Sequence, residues 1–504
     1  MEHDKEVEKR KERISSWFGD RYNLALVSIL IIAFAVRLYY MFITKDQTLW
    51  WDEAEYMATA KHWVLDVPYD INPQRPPLFQ LIAAVLLFLG ASEIFSKFVL
   101  SVVPSTFLVF CIYLVGKEMF NKKIGLFAAL ASSFIWAFLF WSSRFQPDYF
   151  SMSFQMLSIL FFWKLFKNEN KKYAIYAGLF AALGFYFKIS ALLVPLSVFV
   201  FVIFKEGFSF VKNKYYWLAF ASFVAALIPF MIWSYISFGN PIAFAPSYSE
   251  GFTEESARPL GWMTLNFLYI FPKSLFFILF LAGAGLALFN MALMYDVIIK
   301  NKEKRINPEI FSLIVLIVVS AFYIFYIQGT IEDRWVFLLI PFSLYFSGTS
   351  SFFLLEKLRK YGKGVMVILL IVMFSIFIYT QLQHTTQLID IKKDSYLPVK
   401  EAALWLKERT EKDEKLLSIS YTQSVYYSER NVSTYSRIKG IEEFDQYLQD
   451  NRPRFLQISI FEPHPPWINE WIQINQNTTR PVQAYFADAE KQKPVLIVYE
   501  ILYQ

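Results

Sequence analysis

The run NLALVSILIIAFAVRLYYMFI, residues 23–43, is followed seven residues later by the acidic and aromatic cluster WWDEAEY, residues 50–56. A helix rises about 1.5 Å per residue, so roughly 20 apolar residues cross a hydrocarbon core about 30 Å thick. The run therefore predicts a membrane-spanning helix, and the cluster predicts a polar segment at the membrane surface directly after it.

The composition of the whole chain agrees with a membrane setting. Of 504 residues, 56% are hydrophobic and only 18% are charged, which is too apolar for a soluble protein of this length. The net charge of +6 comes from Lys and Arg in short loops, as membrane orientation requires, so we expect no nucleic-acid partner. The single cysteine, Cys111, lies in an apolar run and indicates packing.

Ten further apolar stretches follow the first, and we predict an all-α polytopic membrane domain at 23–382 with about eleven transmembrane helices. The stretch 78–90 is only about 13 residues long and indicates a re-entrant or interfacial segment. The ten further spans are predicted at 96–118, 124–143, 149–166, 173–187, 190–204, 216–236, 271–292, 309–327, 335–355 and 364–382.

The basic residues predict the orientation of these spans. If the N-terminal segment, residues 1–22, is cytoplasmic, all the short basic loops fall on the cytoplasmic side, including those around Lys122, Lys171 and Lys300–Arg305. The loops at 44–95, 144–148, 237–270 and 328–334 then lie on the outer face. The strongest acidic candidates of the sequence therefore converge on one side.

The polar composition after residue 382 predicts a separate C-terminal domain, residues 383–504. Helical patterns at 399–409 and 441–448 alternate with strand-like runs at 416–420, 455–460 and 495–503, which indicates a small α/β domain. An odd number of spans places it outside the cytoplasm, and the glycosylation sequons at Asn431 and Asn477 are compatible with that side.

Asp52 and Glu53 are adjacent carboxylates just beyond the first span. One interpretation is a solvated helix start, since acidic residues favour the first turn. The other is a general base, because a carboxylate held against an apolar face can have its pKa raised toward neutral.

Arg75 lies in the turn QRPPL, residues 74–78, within the same outer loop. Pro76 and Pro77 stiffen the backbone beside it. A guanidinium matches phosphate oxygens with two donors, so Arg75 is either a phosphate ligand or an arginine that reaches up to the membrane interface.

Two further candidates lie at the outer ends of the fourth and fifth spans. Asp148, in SSRFQPDYF, either pairs locally with Arg144 or faces a polar cavity. Lys188, in GFYFKIS, either extends to the interface or binds a lipid phosphate.

Arg334 opens the tenth span in IEDRWVFLLIP. It either pairs with Glu332 or Asp333 or binds phosphate. His62, in the first outer loop, lacks the spacing of a metal site and is predicted to be structural.

Taken in order, these motifs resemble those of the GT-C glycosyltransferases over about residues 20–345. The resemblance rests on WDEAEY after the first helix, the basic-Pro-Pro-Leu turn, FQPD before the fourth span, FKIS, and DRWVFLLIP. The nearest group uses lipid-phosphate sugars and includes the protein O-mannosyltransferases, which use dolichyl phosphate mannose, and the aminoarabinose transferases acting on lipid A.

The resemblance implies a role for each candidate in transfer from a polyprenyl-phosphate-linked sugar, dolichyl or undecaprenyl, with inversion. The acceptor implied is a protein, a lipid or a glycan of the cell envelope. No cofactor is certain, and a divalent cation held by Asp52 and Asp148 is the alternative kept open. The implied catalytic residues are Asp52, Glu53 and Asp148, and the implied donor phosphate ligands are Arg75, Lys188 and Arg334.

Two other classes of protein remain as alternatives. A transporter would place charges near the membrane midplane and often shows internal repeats, neither of which is prominent here. A membrane receptor or scaffold would bind its ligand with the C-terminal domain alone. The chain has no GxxxxGK[ST], CxxC or GxSxG motif, so nucleotide-dependent, redox and serine-hydrolase chemistry have no support in the sequence.

Overall fold

A computed structural model of the chain describes residue 17 and residues 19–250, 275–293, 307–325, 332–486 and 493–503. Most of the N-terminal segment predicted at 1–22 and the basic loop at 300–305 lie outside the described residues. The described chain forms a helical membrane part and a C-terminal α/β domain.

The membrane part is a series of helices, most of them apolar. Helix α4 contains a π-helical turn at Phe98–Val102. The helices are α1 (Arg21–Ile43), α2 (Trp51–Leu65), α3 (Leu78–Phe88), α4 (Glu93–Met119), α5 (Lys122–Phe134), α6 (Trp136–Trp141), α7 (Asp148–Lys167), α8 (Lys171–Phe187), α9 (Leu193–Glu206), α10 (Lys214–Phe238), α11 (Phe244–Glu250), α12 (Leu275–Leu293), α13 (Asn307–Phe325), α14 (Leu339–Leu358) and α15 (Lys363–Lys392).

The predicted polytopic membrane fold is confirmed. Among the described residues, eight helices are long and apolar enough to cross a membrane, where α9 is counted together with the 3₁₀ turns on either side of it as one helix over Ile189–Lys212. The other three predicted spans correspond to α5 and α6 together, to α8 and to α14. The total of eleven therefore stays a prediction. Helix α3 has only 11 residues and is too short to cross, as expected for the stretch 78–90.

The stretch 124–143 is broken into two helices at Ile135, which has an extended ψ of 124°. The break removes helical partners from backbone groups inside the membrane part, where each must be paired. The Gln381 side chain accepts a hydrogen bond from the Trp136 amide at 2.9 Å. On the other side of the break, Arg37 of α1 donates to the Ser133 carbonyl at 3.3 Å. Arg37 therefore completes the backbone of the broken helix.

The C-terminal domain is built on a five-stranded mixed sheet in the order β2-β1-β3-β5-β4. Strand β1 is parallel to β2 and β3, whereas β5 is antiparallel to β3 and β4. The strands are β1 (Lys415–Ser418), β2 (Asn431–Ser433), β3 (Phe455–Ser459), β4 (Thr479–Phe486) and β5 (Pro494–Ile501), and the helices are α16 (Leu397–Lys407), α17 (Tyr421–Ser428), α18 (Ile441–Asn451) and α19 (Trp467–Ile474).

Three of the five strands match the strand-like runs of the sequence, and the two edge strands were missed. Strand β2 has only three residues, too few for an alternating pattern. Strand β4 contains Pro481 and register shifts, features that sequence patterns read as turns and that are tolerated at an edge.

The C-terminal domain packs directly on helix α2. Ala54 of α2 and Val425 of α17 belong to the same buried hydrophobic core. Lys61 of α2 pairs with Glu429 at 2.7 Å, and the Leu49 amide donates to the Tyr427 hydroxyl at 2.9 Å. Helix α2 is therefore held between the membrane helices and the C-terminal domain.

Candidate active site

The first turn of α2 presents its two adjacent carboxylates to different surroundings. In a helix, residues three and four apart share a face, whereas consecutive residues do not. Asp52 therefore lies on the same face as Glu55 and Tyr56, and Glu53 does not. This separation decides what each carboxylate contacts.

Arg75 binds to the Asp52 face of α2. Its Nη2 lies 2.6 Å from Asp52 Oδ1, and its Nε donates to Glu55 Oε2 at 2.8 Å. Its Nη1 donates to the Tyr56 hydroxyl at 3.3 Å. Asn72 donates to the second oxygen of Glu55 at 2.6 Å, which fixes the loop that carries Arg75. The structure thus brings Asp52 and Arg75 into direct contact across the first outer loop.

Arg334 reaches the same carboxylate from the other end of the sequence. It lies in a short 3₁₀ turn, Asp333–Val336, before α14. Its guanidinium forms ion pairs with Asp52 Oδ2 and with Glu332, and it donates to the side-chain oxygen of Gln146. The predicted local pair with Glu332 is therefore present together with the contact to Asp52.

Asp148 and Lys188 complete this group of charges. Asp148 begins α7, and Lys188 directly follows the last residue of α8. Lys188 Nζ forms an ion pair with Asp148 Oδ1, while Arg334 Nη1 lies 3.8 Å from Asp148 Oδ2. We call Asp52, Glu55, Arg75, Asp148, Lys188 and Arg334 the charged cluster.

Glu53 faces away from the charged cluster. It accepts hydrogen bonds from the Trp50 amide at 2.9 Å and the Phe145 amide at 2.7 Å. It also pairs with Arg144 at 2.9 Å, and the Arg144 guanidinium lies 3.7 Å from the centre of the Trp50 ring. The local Arg144–Asp148 pair considered from the sequence is therefore wrong, because Arg144 is used to hold the start of α2.

Charge compensation sets the protonation of the cluster. Burial alone would raise the pKa of Asp52, but Arg75 and Arg334 outweigh it and hold that pKa well below its usual range. Burial lowers the pKa of Lys188, and Asp148 opposes that shift. The expectation that Asp52 has a pKa raised toward neutral does not hold in this arrangement, because each of its oxygens is bound by a guanidinium.

The pair Asp52 and Asp148 does not suit a divalent cation in this arrangement. The Arg334 guanidinium contacts Asp52 and lies 3.8 Å from Asp148, so a positive group already stands between the two carboxylates. Within the described ranges, no three His, Cys, Asp or Glu side chains group together as a metal site would require.

Two residues of the site were not predicted from the sequence. Glu55 was passed over in favour of Glu53, although the three-residue helical spacing from Asp52 would have selected it. Gln146 has no such signal, because its contact with Arg334 spans 188 residues of sequence. His62 lies outside the cluster, and its Nδ1 is 2.9 Å from the Val67 carbonyl oxygen.

A family model matches part of this chain. The model for dolichyl-phosphate-mannose-protein mannosyltransferases matches residues 74–233, a range that contains Arg75, Asp148 and Lys188. No curated protein matches the chain.

Solved structures share the fold across most of the chain. ArnT from Cupriavidus metallidurans, bound to undecaprenyl phosphate, has a TM-score of 0.64 at 10% identity, covering 93% of this chain and 97% of ArnT. The oligosaccharyltransferase of Archaeoglobus fulgidus in its apo form has a TM-score of 0.63 at 14% identity, covering 88% of this chain and 70% of that protein. A second structure of the archaeal protein is a complex with zinc and sulfate.

A third similar structure is the arabinofuranosyltransferase AftD from mycobacteria. Its TM-score is 0.55 at 12% identity, and the match covers 94% of this chain and 41% of AftD. Likeness at these identities shows the fold, and with the family match it confirms the resemblance drawn from the motifs. The family match over residues 74–233 favours an enzyme over the receptor, scaffold and transporter alternatives.

Proposed function

We propose that the chain is a membrane glycosyltransferase of the GT-C superfamily and that it moves a sugar from a polyprenyl phosphate to an extracytoplasmic acceptor. The acceptor is a hydroxyl or amine group of a protein, a lipid or a glycan. The observation that carries this proposal is the contact of Asp52 with both Arg75 and Arg334. A proton acceptor beside two phosphate-binding groups is what transfer from a lipid phosphate requires.

Donor binding changes the partners of the two arginines. Arg75 and Arg334 are each bound to carboxylates, and a donor phosphate competes for them with two oxygens per guanidinium. As the guanidiniums turn to the phosphate, Asp52 loses the positive charges that hold its pKa down. The donor therefore converts Asp52 from an ion-pair partner into a stronger base.

The chemical step is one displacement at the anomeric carbon. The acceptor oxygen or nitrogen bonds to that carbon and gives its proton to Asp52, while the bond from the carbon to the phosphate oxygen breaks. The bonding electrons leave with the polyprenyl phosphate, whose charge Arg75 and Arg334 stabilise. A single in-line displacement inverts the anomeric configuration.

The remaining predicted site residues support this step. Lys188 adds positive charge beside Arg334, and Asp148 holds Lys188 in place. Glu53 acts as a positioning residue for the first turn of α2 through its contacts with Arg144 and the Phe145 amide.

We propose that the charged cluster and the C-terminal domain face the outside of the cell and that the N-terminus is cytoplasmic. The distribution of Lys and Arg among the short loops supports this orientation. The proposed mechanism has no step through a divalent cation, so transfer is expected to continue at an unchanged rate with a chelator present. A loss of transfer that a divalent cation restores would contradict this mechanism.

A transfer assay in membranes supplied with lipid-linked sugar and acceptor tests the proposed function. Asp52→Asn is expected to lower the transfer rate by about 10²- to 10⁴-fold, the usual contribution of a general base. Asp46→Asn is the matched control, because Asp46 lies in the same loop with its side chain 87% exposed. Near-normal transfer by Asp52→Asn would refute the assignment of the base.

A further inference from the structure

A cavity of about 510 Å³ lies among helices α7, α8, α9 and α10, away from the charged cluster. Its lining residue Leu165 is about 25 Å further along α7 than Asp148, at 1.5 Å per residue. Tyr216, near the start of α10, also lines it. The cavity therefore extends toward the membrane face opposite the charged cluster, and the proposed mechanism gives it no occupant.

Small residues line one side of this cavity. Gly178 of α8 lies so close to α10 that a Cβ atom there would be 2.1 Å from the Ala219 carbonyl oxygen. Ala177, Ala181 and Ala219 add only methyl groups to the same lining. Small residues allow two membrane helices to approach closely. Here they also leave the hollow between α9 and the packed pair of α8 and α10.

The cavity is open on the side of α9 and α10. Leu196 and Phe199 of α9, with Trp217 and Phe220 of α10, line it and are each between 46% and 58% exposed. Apolar side chains on the outer surface of membrane helices face the hydrocarbon of the bilayer. Cavities of roughly 300–1,000 Å³ hold drug-sized ligands. A flexible apolar chain of comparable size can therefore enter this one from the bilayer.

Lysines are concentrated at the end of the cavity that is farthest from the charged cluster. The Asn213 side chain donates to Glu169 at 3.0 Å, and this hydrogen bond joins the loop before α10 to the loop before α8. Four lysines belong to these two joined loops and the helix starts that follow them: Lys171, Lys172, Lys212 and Lys214. We call these four residues the lysine rim.

The lysine rim has positive charge to spare. In the described part of the chain none of its lysines forms an ion pair, unlike Lys122 and Lys167 at the same membrane face, which pair with Asp20 and Glu118. The two glutamates in the same region are hydrogen-bonded to neutral side chains, Glu169 to Asn213 and Glu206 to the Tyr216 hydroxyl. Four lysines against two glutamates leave this end of the cavity positively charged.

An anionic phospholipid matches both the cavity and the lysine rim. Basic groups between membrane helices bind the head groups of anionic lipids. The bilayer is itself apolar, so the cavity alone has little preference for one lipid chain over another, and selection must come from the head group. A polyprenyl chain whose phosphate is bound at the charged cluster would bring no negative charge to the lysine rim.

We propose that the cavity and the lysine rim form a binding site for an anionic phospholipid of the leaflet opposite the charged cluster. One acyl chain lies in the cavity, and the head group lies against Lys212 and Lys214. The site is distinct from that of the lipid-linked donor, so this inference goes beyond the proposed function.

Native mass spectrometry of the purified full-length protein in detergent tests this inference. The two probes are phosphatidylglycerol, which is anionic, and phosphatidylcholine with the same acyl chains, which has no net charge. The wild type is expected to bind one phosphatidylglycerol roughly fivefold to thirtyfold more tightly, since each lysine that a head group contacts contributes about fivefold. Equal affinities for the two lipids would overturn the proposal.

A pair of double variants tests the lysine rim. Lys212→Gln with Lys214→Gln should bring the ratio of the two affinities close to one. Lys357→Gln with Lys360→Gln is the matched control, because it removes two charges from the same membrane face at the end of α14. The control should keep the preference of the wild type. A preference that is lost equally in both double variants would show a general effect of charge and would overturn the site.

A pair of tryptophan variants tests the cavity. Val198 lines it, whereas Val200 of the same helix does not. Val198→Trp should fill the cavity and weaken the tightly bound phosphatidylglycerol by roughly tenfold. Val200→Trp should leave that affinity unchanged. Equal affinities in the two variants would mean that the acyl chain lies elsewhere, which contradicts the proposal.

Polyprenyl phosphate is the competing occupant of the cavity. It is expected not to displace phosphatidylglycerol, and Val198→Trp is expected to bind it as the wild type does. If polyprenyl phosphate displaces phosphatidylglycerol and Val198→Trp loses affinity for it, the chain of the donor fills the cavity. That result would overturn the phospholipid site and leave the proposed function intact.

Discussion

Asp52 and Glu53 are neighbours in the sequence, yet they belong to two different ion clusters. The Asp52 side chain is 19% exposed and is shared by Arg75 and Arg334, each of which also contacts another carboxylate. The Glu53 side chain is 1% exposed and is closed off by Arg144 and two backbone amides. The arginines around Asp52 can exchange one carboxylate for another, whereas Arg144 beside Glu53 has no second carboxylate to turn to among the described residues.

The difference shows how one helical turn can serve both binding and stability. A rotation of about 100° between consecutive residues turns one carboxylate to the polar side of α2 and the other into the protein core. A cation shared among several carboxylates can turn to an incoming phosphate at modest cost. An ion pair that is buried without a second carboxylate stabilises its position instead, because breaking it leaves an uncompensated charge.

The largest effect on stability is predicted for the loss of the Glu53–Arg144 ion pair. Glu53→Gln leaves the Arg144 guanidinium buried with no carboxylate, and we expect the free energy of unfolding to fall by about 3–5 kcal/mol. Thermal unfolding of the purified protein, followed by circular dichroism, measures the loss.

A double variant sharpens this prediction. Glu53→Leu together with Arg144→Met replaces both charges with apolar groups, and it should recover much of the stability lost by Glu53→Gln. If the single and double variants unfold at the same temperature, the loss does not come from the unpaired charge.

A smaller effect, on donor binding, is predicted for Arg75, one of the two arginines that are shared between carboxylates. Arg75→Ala should raise the KM for the lipid-linked donor by roughly tenfold to hundredfold, because one charge-assisted contact to phosphate is lost. The KM for the acceptor should change little. Steady-state kinetics with each substrate varied in turn separates the two, and a larger change in the acceptor KM would refute the phosphate role.

Arg75→Lys is the conservative counterpart of that variant. It keeps the charge but loses the two-pronged geometry, so its donor KM should lie between those of the wild type and Arg75→Ala. A donor KM equal to that of Arg75→Ala would contradict this prediction, because it would show that the charge kept by lysine contributes nothing to donor binding.

The smallest effect is predicted for Asp333, which forms no ion pair with any of the described residues. Burial, together with the neighbouring Glu332, raises its pKa from 3.8 to about 6. The folded state therefore holds its proton more tightly, so stability is lost as the pH rises from about 4 through 6. Asp333→Asn should unfold at a higher temperature than the wild type at pH 7 and at the same temperature at pH 3.

Much of the fold could be predicted from the sequence, since apolar length and basic loops mark membrane helices directly. The α/β class of the C-terminal domain also followed from its patterns. The break at Ile135 could not be predicted, because Gln381 and Arg37, which pair the backbone there, are distant in sequence.

The candidate site was predictable in its members but not in its pairing. The motifs supplied Asp52, Arg75 and Arg334, and helical spacing could have supplied Glu55 as well. Glu53 was grouped with Asp52 because the two are adjacent in the sequence. Its actual partner, Arg144, is 91 residues away, and the helix geometry turns the two carboxylates to different surroundings.

Side-by-side measurement of Asp52→Asn and Glu53→Gln tests the central claim most directly. For each variant the transfer rate per folded molecule and the unfolding temperature are measured in the same preparation. We predict that Asp52→Asn loses transfer by about 10²-fold or more with little change in unfolding temperature, whereas Glu53→Gln unfolds earlier and its folded molecules keep most of their transfer rate. The opposite pattern, with transfer lost in the folded Glu53→Gln protein and kept in Asp52→Asn, would contradict the account.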